Sequence, residues 1–167
     1  MTFEERLERI DDIINDFVAD FGCDAELDES FCIYPDESTI AYTLVVGELS
    51  DIVWREYVQN TFGYSIENIF VFSLLHEIGH HFTMRNFSSK AWRKEKARER
   101  RIEARLRKSK DENLDRKFYL QYFNLPSERT ATKWAVNYAK KNRNELENFW
   151  NILNEELQKF YAENLTE

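Results

Sequence analysis

The stretch from Phe70 to Phe82 is apolar enough to be a buried helix, yet it holds all three histidines of the chain and a glutamate, in the order His76-Glu77-Ile78-Gly79-His80-His81. Polar groups taken out of water need partners, so a helix of this kind must meet something that satisfies two imidazoles at once. On a helix, positions four apart lie one turn up the same face. His76 and His80 therefore present their ring nitrogens to one point, and a divalent metal ion is the partner that fits.

The first five of these residues match the zinc-hydrolase pattern H-E-x-x-H. Zinc binds imidazole nitrogen at about 2.0 to 2.1 Å and, in catalytic sites, takes three protein ligands and leaves one position for water. Glu77 falls between the two histidines in angle, so it can lean over that position as a general base acting on a zinc-bound water without itself being a ligand. His81 points off the ligand face. Ser65 is the expected N-cap, with the helix starting near Ile66. Gly79 costs a helix about 1 kcal/mol relative to alanine, which implies that another backbone passes close to it.

No histidine remains for the third ligand, so a downstream carboxylate is required. Glu99 and Glu103 have the spacing of thermolysin-like enzymes, but they sit among lysines and arginines and read as solvated. Glu128 is the better choice: Pro126 suits a first helical turn, and Glu128, Ala131, Thr132 and Ala135 share one face. Small residues beside the carboxylate would let that helix approach Gly79. The remaining reading of Glu128 is an exposed first-turn glutamate favoured by the helix dipole.

The combination of H-E-I-G-H with a later E-x-x-A-x-x-W-A, here Glu128, Ala131, Trp134 and Ala135, resembles the ImmA/IrrE family of zinc metallopeptidases, found in bacteria, mobile elements and phages. The resemblance covers roughly residues 31–138. It implies zinc held by His76, His80 and Glu128, with Glu77 as the catalytic base, and cleavage of one specific protein, often a transcriptional repressor. The fold expected is α+β and mostly helical: a single zincin-like domain over residues 1–167, with a small antiparallel β-sheet packed against the motif helix. Tyr122, Tyr138 and Arg129 are all candidates to stabilise the oxyanion, and the sequence does not choose among them.

The rest of the chain supplies the elements. Thr2-Phe3-Glu4-Glu5 is a capping box, and Phe3, Leu7, Ile10, Ile14, Phe17 and Phe21 recur at intervals of three and four until Gly22, so the chain opens with an amphipathic helix. Phe31–Tyr34 and Thr39–Val46, separated by Pro35-Asp36-Glu37-Ser38, read as a hairpin. An exposed edge near Thr39–Val45 would then hold an extended substrate strand. A helix follows from about Glu48 to Thr61 and stops at Gly63. Leu146, Phe149, Trp150, Leu153, Leu157 and Phe160 stripe the last helix, as core or as a seam for a second copy.

Charge is distributed unevenly. Residues 90–117 hold 13 basic and six acidic side chains, net +7, in a chain of net charge −8, which leaves −15 elsewhere. Within a net-basic helical insertion spanning 88–117, Glu95, Glu99 and Glu103 alternate with arginines at helical spacing. That pattern fits a solvated helix supported by its own ion pairs. It also fits a docking arm for an acidic protein partner or for nucleic acid, or an arm that folds over its own acidic body.

Cys23 and Cys32 match no metal or redox spacing. With no export signal at the acidic start of the chain, they are expected as reduced thiols in a cytoplasmic protein. No apolar run approaches the roughly 20 residues that span a bilayer. Two functions follow. The first is a zinc-dependent endopeptidase acting on a protein substrate; the second is a metallopeptidase fold kept as a non-enzymatic binding module that engages a partner through residues 90–117.

Overall fold

The computed structural model describes residues 2–22 and 49–164, and every element in them is a helix. These residues fall into two compact units, one formed by 2–22 with 139–164 and the other by 49–138.

The first unit pairs helix α1 (Phe3–Ala19) with the last helix of the chain, Arg143–Asn164. The capping box forms as the sequence requires. Thr2 Oγ1 accepts from the Glu5 amide at 3.1 Å, and a Glu5 carboxylate oxygen accepts from the Thr2 amide at 2.7 Å. Ile10, Ile14 and Phe17 are buried, as are Phe149, Leu153, Leu157 and Phe160. Phe17 stacks on Phe149 with ring centroids 3.9 Å apart. The aromatic stripe of the last helix is thus core within one copy of the chain. Arg6 is buried with Glu156, 3.1 Å away, and also pairs with Glu163; removal from water is tolerable for these charges because they are taken in together.

The second unit contains α2 (Leu49–Phe62), α3 (Ile69–Thr83), a 3-10 turn (Met84–Asn86), α4 (Ser89–Lys108), α5 (Glu112–Phe123) and α6 (Pro126–Lys141), whose last residues pass into the first unit. The helix of the first unit that follows is α7. Gly63, with φ of +61°, ends α2 in a conformation that an L side chain rarely adopts. Asn68 starts α3, its side chain accepting from the Val71 amide at 3.0 Å. The cap expected at Ser65 is therefore corrected: the Ser65 hydroxyl donates to Gln59 at 2.6 Å, and α3 begins three residues later than the apolar pattern suggests.

Helix α3 is buried along nearly its whole length, and helices cover it. Trp54 of α2 lies against Phe72, centroids 5.2 Å apart, and Phe82 stacks on Trp134 of α6 at 5.1 Å. From α5, Phe123 packs against Trp54 and Tyr57, and the Tyr57 hydroxyl donates to Asn124 at 3.2 Å.

This corrects the α+β expectation. Among the described residues there is no strand, and the surfaces of α3 that a sheet was expected to cover are met by α2 and α6. The segments read as a hairpin, Phe31–Tyr34 and Thr39–Val46, lie outside the described residues, as do Cys23 and Cys32. No helix among the described residues is long and apolar enough to cross a membrane.

The charged segment is helical and forms two helices, because Ser109 and Lys110 interrupt it and Asp111 caps a new start by accepting from the Asn113 amide at 2.9 Å. Yet α4 is not solvated all round: Glu95 and Ile102 are buried, 5% and 6% exposed. Among the described residues its internal ion pairing is limited to Lys96 with Glu99, 2.6 Å apart. The helix is held by packing on one side, not by a lattice of its own charges.

Candidate metal centre

His76 and His80 stand one turn apart on α3 with their Nε2 atoms 3.1 Å from each other. Glu128, in the first turn of α6, completes the cluster: one carboxylate oxygen lies 3.0 Å from His76 Nε2 and the other 3.4 Å from His80 Nε2. One ligand atom from each of the three residues can be chosen so that all lie within 4.8 Å of one another. Helix α6 reaches α3 this closely because both are small at the crossing. A Cβ added at Gly79 would sit 2.6 Å from the Ala131 carbonyl oxygen, well inside contact distance. The close backbone inferred from the cost of a glycine in mid-helix is that of Ala131.

The site is asymmetric in its exposure. His76 and Glu128 are buried at 7% each, and His80 is partly open. Glu77 is the one exposed residue of α3. It stands beside the cluster without joining it. His81 lies off the cluster, its ring edge-on to Phe82 at 5.2 Å. The Trp54 ring meets His76 edge to face at 5.3 Å, so the imidazole is held in place by packing as well as by its polar partners.

Two further residues support the cluster, and both escaped the sequence reading of their roles. The Thr132 hydroxyl, 1% exposed at the residue level, lies 3.0 Å from His76 Nδ1. With Nε2 left free as a ligand, Nδ1 carries the proton and donates to that oxygen, which fixes both tautomer and ring orientation. The other is Glu95. Its buried carboxylate accepts from the Ser127 amide, at 3.1 Å to each oxygen, and from the Ser127 hydroxyl. It thereby caps the start of α6 one residue before Glu128, replacing the N-cap side chain that Leu125 does not supply. The signal was present in the spacing of Trp92, Glu95, Glu99, Ile102 and Leu106, a helical stripe obscured by the surrounding charge.

Electrostatics follow from this packing. Burial pushes the Glu128 carboxyl up, but hydrogen bonds with His76 and His80 and their charge outweigh it and hold the group well below the usual carboxylate range. Burial works against a charged His80, while Glu128 and, more weakly, Glu77 raise its pKa above the ordinary value. Tyr122 is pushed far up, first by burial and then by the carboxylates of Glu128, Glu99, Glu77 and Glu103, so its hydroxyl stays protonated and remains a donor. Of the other candidates for the oxyanion, Arg129 donates to Asn124 at 3.3 Å and Tyr138 stacks on Trp134 at 5.4 Å.

The donor set fits a metal. A tetrahedral ion with bonds of about 2.0 to 2.1 Å sets its ligand atoms about 3.3 Å apart; the two Nε2 atoms are 3.1 Å apart, and Glu128 brings one oxygen to 3.0 Å from His76 and the other to 3.4 Å from His80. Two imidazole nitrogens turned toward each other beside a carboxylate are satisfied either by an N–H hydrogen shared among them or by a metal ion. Two histidines and a glutamate make a ligand set that leaves a fourth position open. Glu99 and Glu103 are not in the cluster. No family model matches the chain, and no curated protein or solved structure matches it.

Proposed function

We propose that the protein is a zinc-dependent endopeptidase that cuts a specific protein substrate, in the manner of the ImmA/IrrE metallopeptidases that its two motifs resemble. The reading rests on one observation above all: His76, His80 and Glu128 converge while Glu77, between the two histidines in sequence, stays exposed and unligated. When bound, zinc supplies Lewis acidity, polarising the scissile carbonyl and bringing water's pKa toward about 7. The protein's own groups do the rest. Glu77 takes the proton from the attacking water and passes it to the leaving amine, and Tyr122, Tyr138 and Arg129 remain the candidates to donate to the developing oxyanion.

A non-enzymatic binding module is the competing reading, favoured by the basic face of α4. An exposed glutamate on an otherwise buried helix argues against it, since a closed structural zinc site needs no general base and fills its fourth position with protein. A library of peptides from a digested proteome, incubated with zinc-loaded protein and read by mass spectrometry, tests the proposal. Cleavage at a consistent sequence is expected, with Glu77→Gln keeping its zinc while turnover falls about 10²- to 10⁴-fold. Undiminished cleavage by Glu77→Gln would show that the base is another group.

A further inference from the structure

Helix α4 keeps its charges apart. Lys94, Arg98, Arg101, Arg105 and Lys108 follow one another at intervals of four, three, four and three residues, and all are exposed. They make a single stripe of like charge about 21 Å long at 1.5 Å per residue. Like charges at this spacing repel, so the stripe gives the helix nothing on its own account. Glu95, the acid nearest to it in angle, is turned inward to Ser127.

Arg98, Arg101 and Arg105 line a groove of about 560 Å³ together with Ile102, Leu120 and Gln121. Among the described residues none of the three has a carboxylate partner, although acidic side chains outnumber basic ones by 31 to 23 in the chain. Arg101 spends its Nε hydrogen on the Ala97 carbonyl, and Arg105 lies over the Phe118 ring at 5.9 Å. Leu120, 39% exposed, adds an uncovered apolar surface between them. Arginine beside exposed apolar surface is the composition that binding sites concentrate. The helix that carries the stripe also carries Glu95, which meets Ser127 one residue before Glu128, so α4 connects the groove to the cluster.

We propose that this groove is a subsite for an acidic peptide segment. Resting on the peptidase reading, it selects substrates that carry an aspartate- or glutamate-rich segment. Guanidinium forks match carboxylates two bonds at a time, and among the described residues no carboxylate of the chain occupies Arg98, Arg101 or Arg105. Nucleic acid suits the groove less well: the chain outside residues 90–117 carries −15, the Phe118 ring already has Arg105 over it, and Leu120 matches a side chain better than a phosphate.

The test uses full-length Glu77→Gln protein, so that binding is read without turnover, and fluorescence anisotropy with labelled oligoglutamate, oligoglutamine and single-stranded DNA. Oligoglutamate is expected to bind, oligoglutamine not, and the triple change Arg98→Gln, Arg101→Gln, Arg105→Gln to weaken binding at least tenfold with an unchanged circular dichroism spectrum. Arg93→Gln, Arg100→Gln, Arg107→Gln removes the same charge from the opposite face and should shift affinity less than twofold. Equal weakening by both triples, tighter binding of DNA than of oligoglutamate, or no oligoglutamate binding at low salt would each overturn the proposal. Zinc content is measured separately, so a chain that binds the peptide but no metal would sink the peptidase reading and leave the groove standing.

Discussion

Helices α3 and α4 belong to the same unit and both touch α6, yet they place polar groups by opposite means. In α3 the surroundings are apolar, so each polar residue is conspicuous, and His76 and His80 converge on Glu128 because few polar partners reach into those surroundings. In α4 the surroundings are charged, and the one carboxylate that matters structurally, Glu95, looks like its solvated neighbours until the structure shows it capping α6 at Ser127. Desolvation marks a site when it acts on a few polar groups in an oily helix; it leaves no trace in a sequence where every position is charged. Glu128 is fixed from both sides, by the backbone contact of Gly79 with Ala131 and by the Glu95 cap.

The contrast predicts that substitutions on the α3 side cost more than those on the α4 side. The largest effect is expected from Gly79→Ala. Alanine would gain about 1 kcal/mol of helix propensity, but its Cβ meets the Ala131 carbonyl, and separating the two backbones should cost roughly 1–3 kcal/mol net. Thermal unfolding should show a lower Tm, and zinc titration a weaker site. A Gly79→Ala protein more stable than the parent would mean that the helices do not cross as described.

Thr132→Val comes next. It keeps the shape of the side chain and removes the oxygen facing His76 Nδ1, so zinc affinity should fall about 10- to 100-fold with little change of fold. Thr132→Ser should recover most of the loss. Glu95→Ala is expected to be the mildest, since it removes a cap worth about 1 kcal/mol and leaves the ligands themselves intact. Chemical denaturation would read the stability, and a zinc affinity lowered by less than tenfold would place Glu95 as a support for α6. Were Glu95→Ala as damaging to metal binding as Thr132→Val, the difference between the two sides would disappear.

How much the sequence disclosed follows the same division. The cluster itself was readable, because histidines four apart in an apolar run and a carboxylate flanked by alanine and threonine leave few arrangements open. The helices of the first unit were readable too, from the spacing of Ile10, Ile14 and Phe17 and of Phe149, Leu153 and Leu157. Three things were not. The start of α3 was misplaced because Ser65 and Asn68 are both good caps, and only the chain's path, with Arg55 donating to the Ile66 carbonyl at 2.6 Å, decides between them. The sheet expected against α3 rested on resemblance and on β-branched composition, whereas the described surroundings of α3 are helical. Glu95 was missed because a stripe of one tryptophan, two glutamates, one isoleucine and one leucine is faint against 13 basic residues.

The account depends most on one divalent ion being held by His76, His80 and Glu128 together. Metal analysis of the purified chain, loaded with zinc and freed of excess, measures this directly, in parallel with His76→Ala and Glu128→Ala. One equivalent is predicted for the parent chain and none for His76→Ala, with zinc readily washed from Glu128→Ala. A parent chain that takes up no zinc, or a Glu128→Ala chain that holds a full equivalent as tightly as the parent, would contradict it.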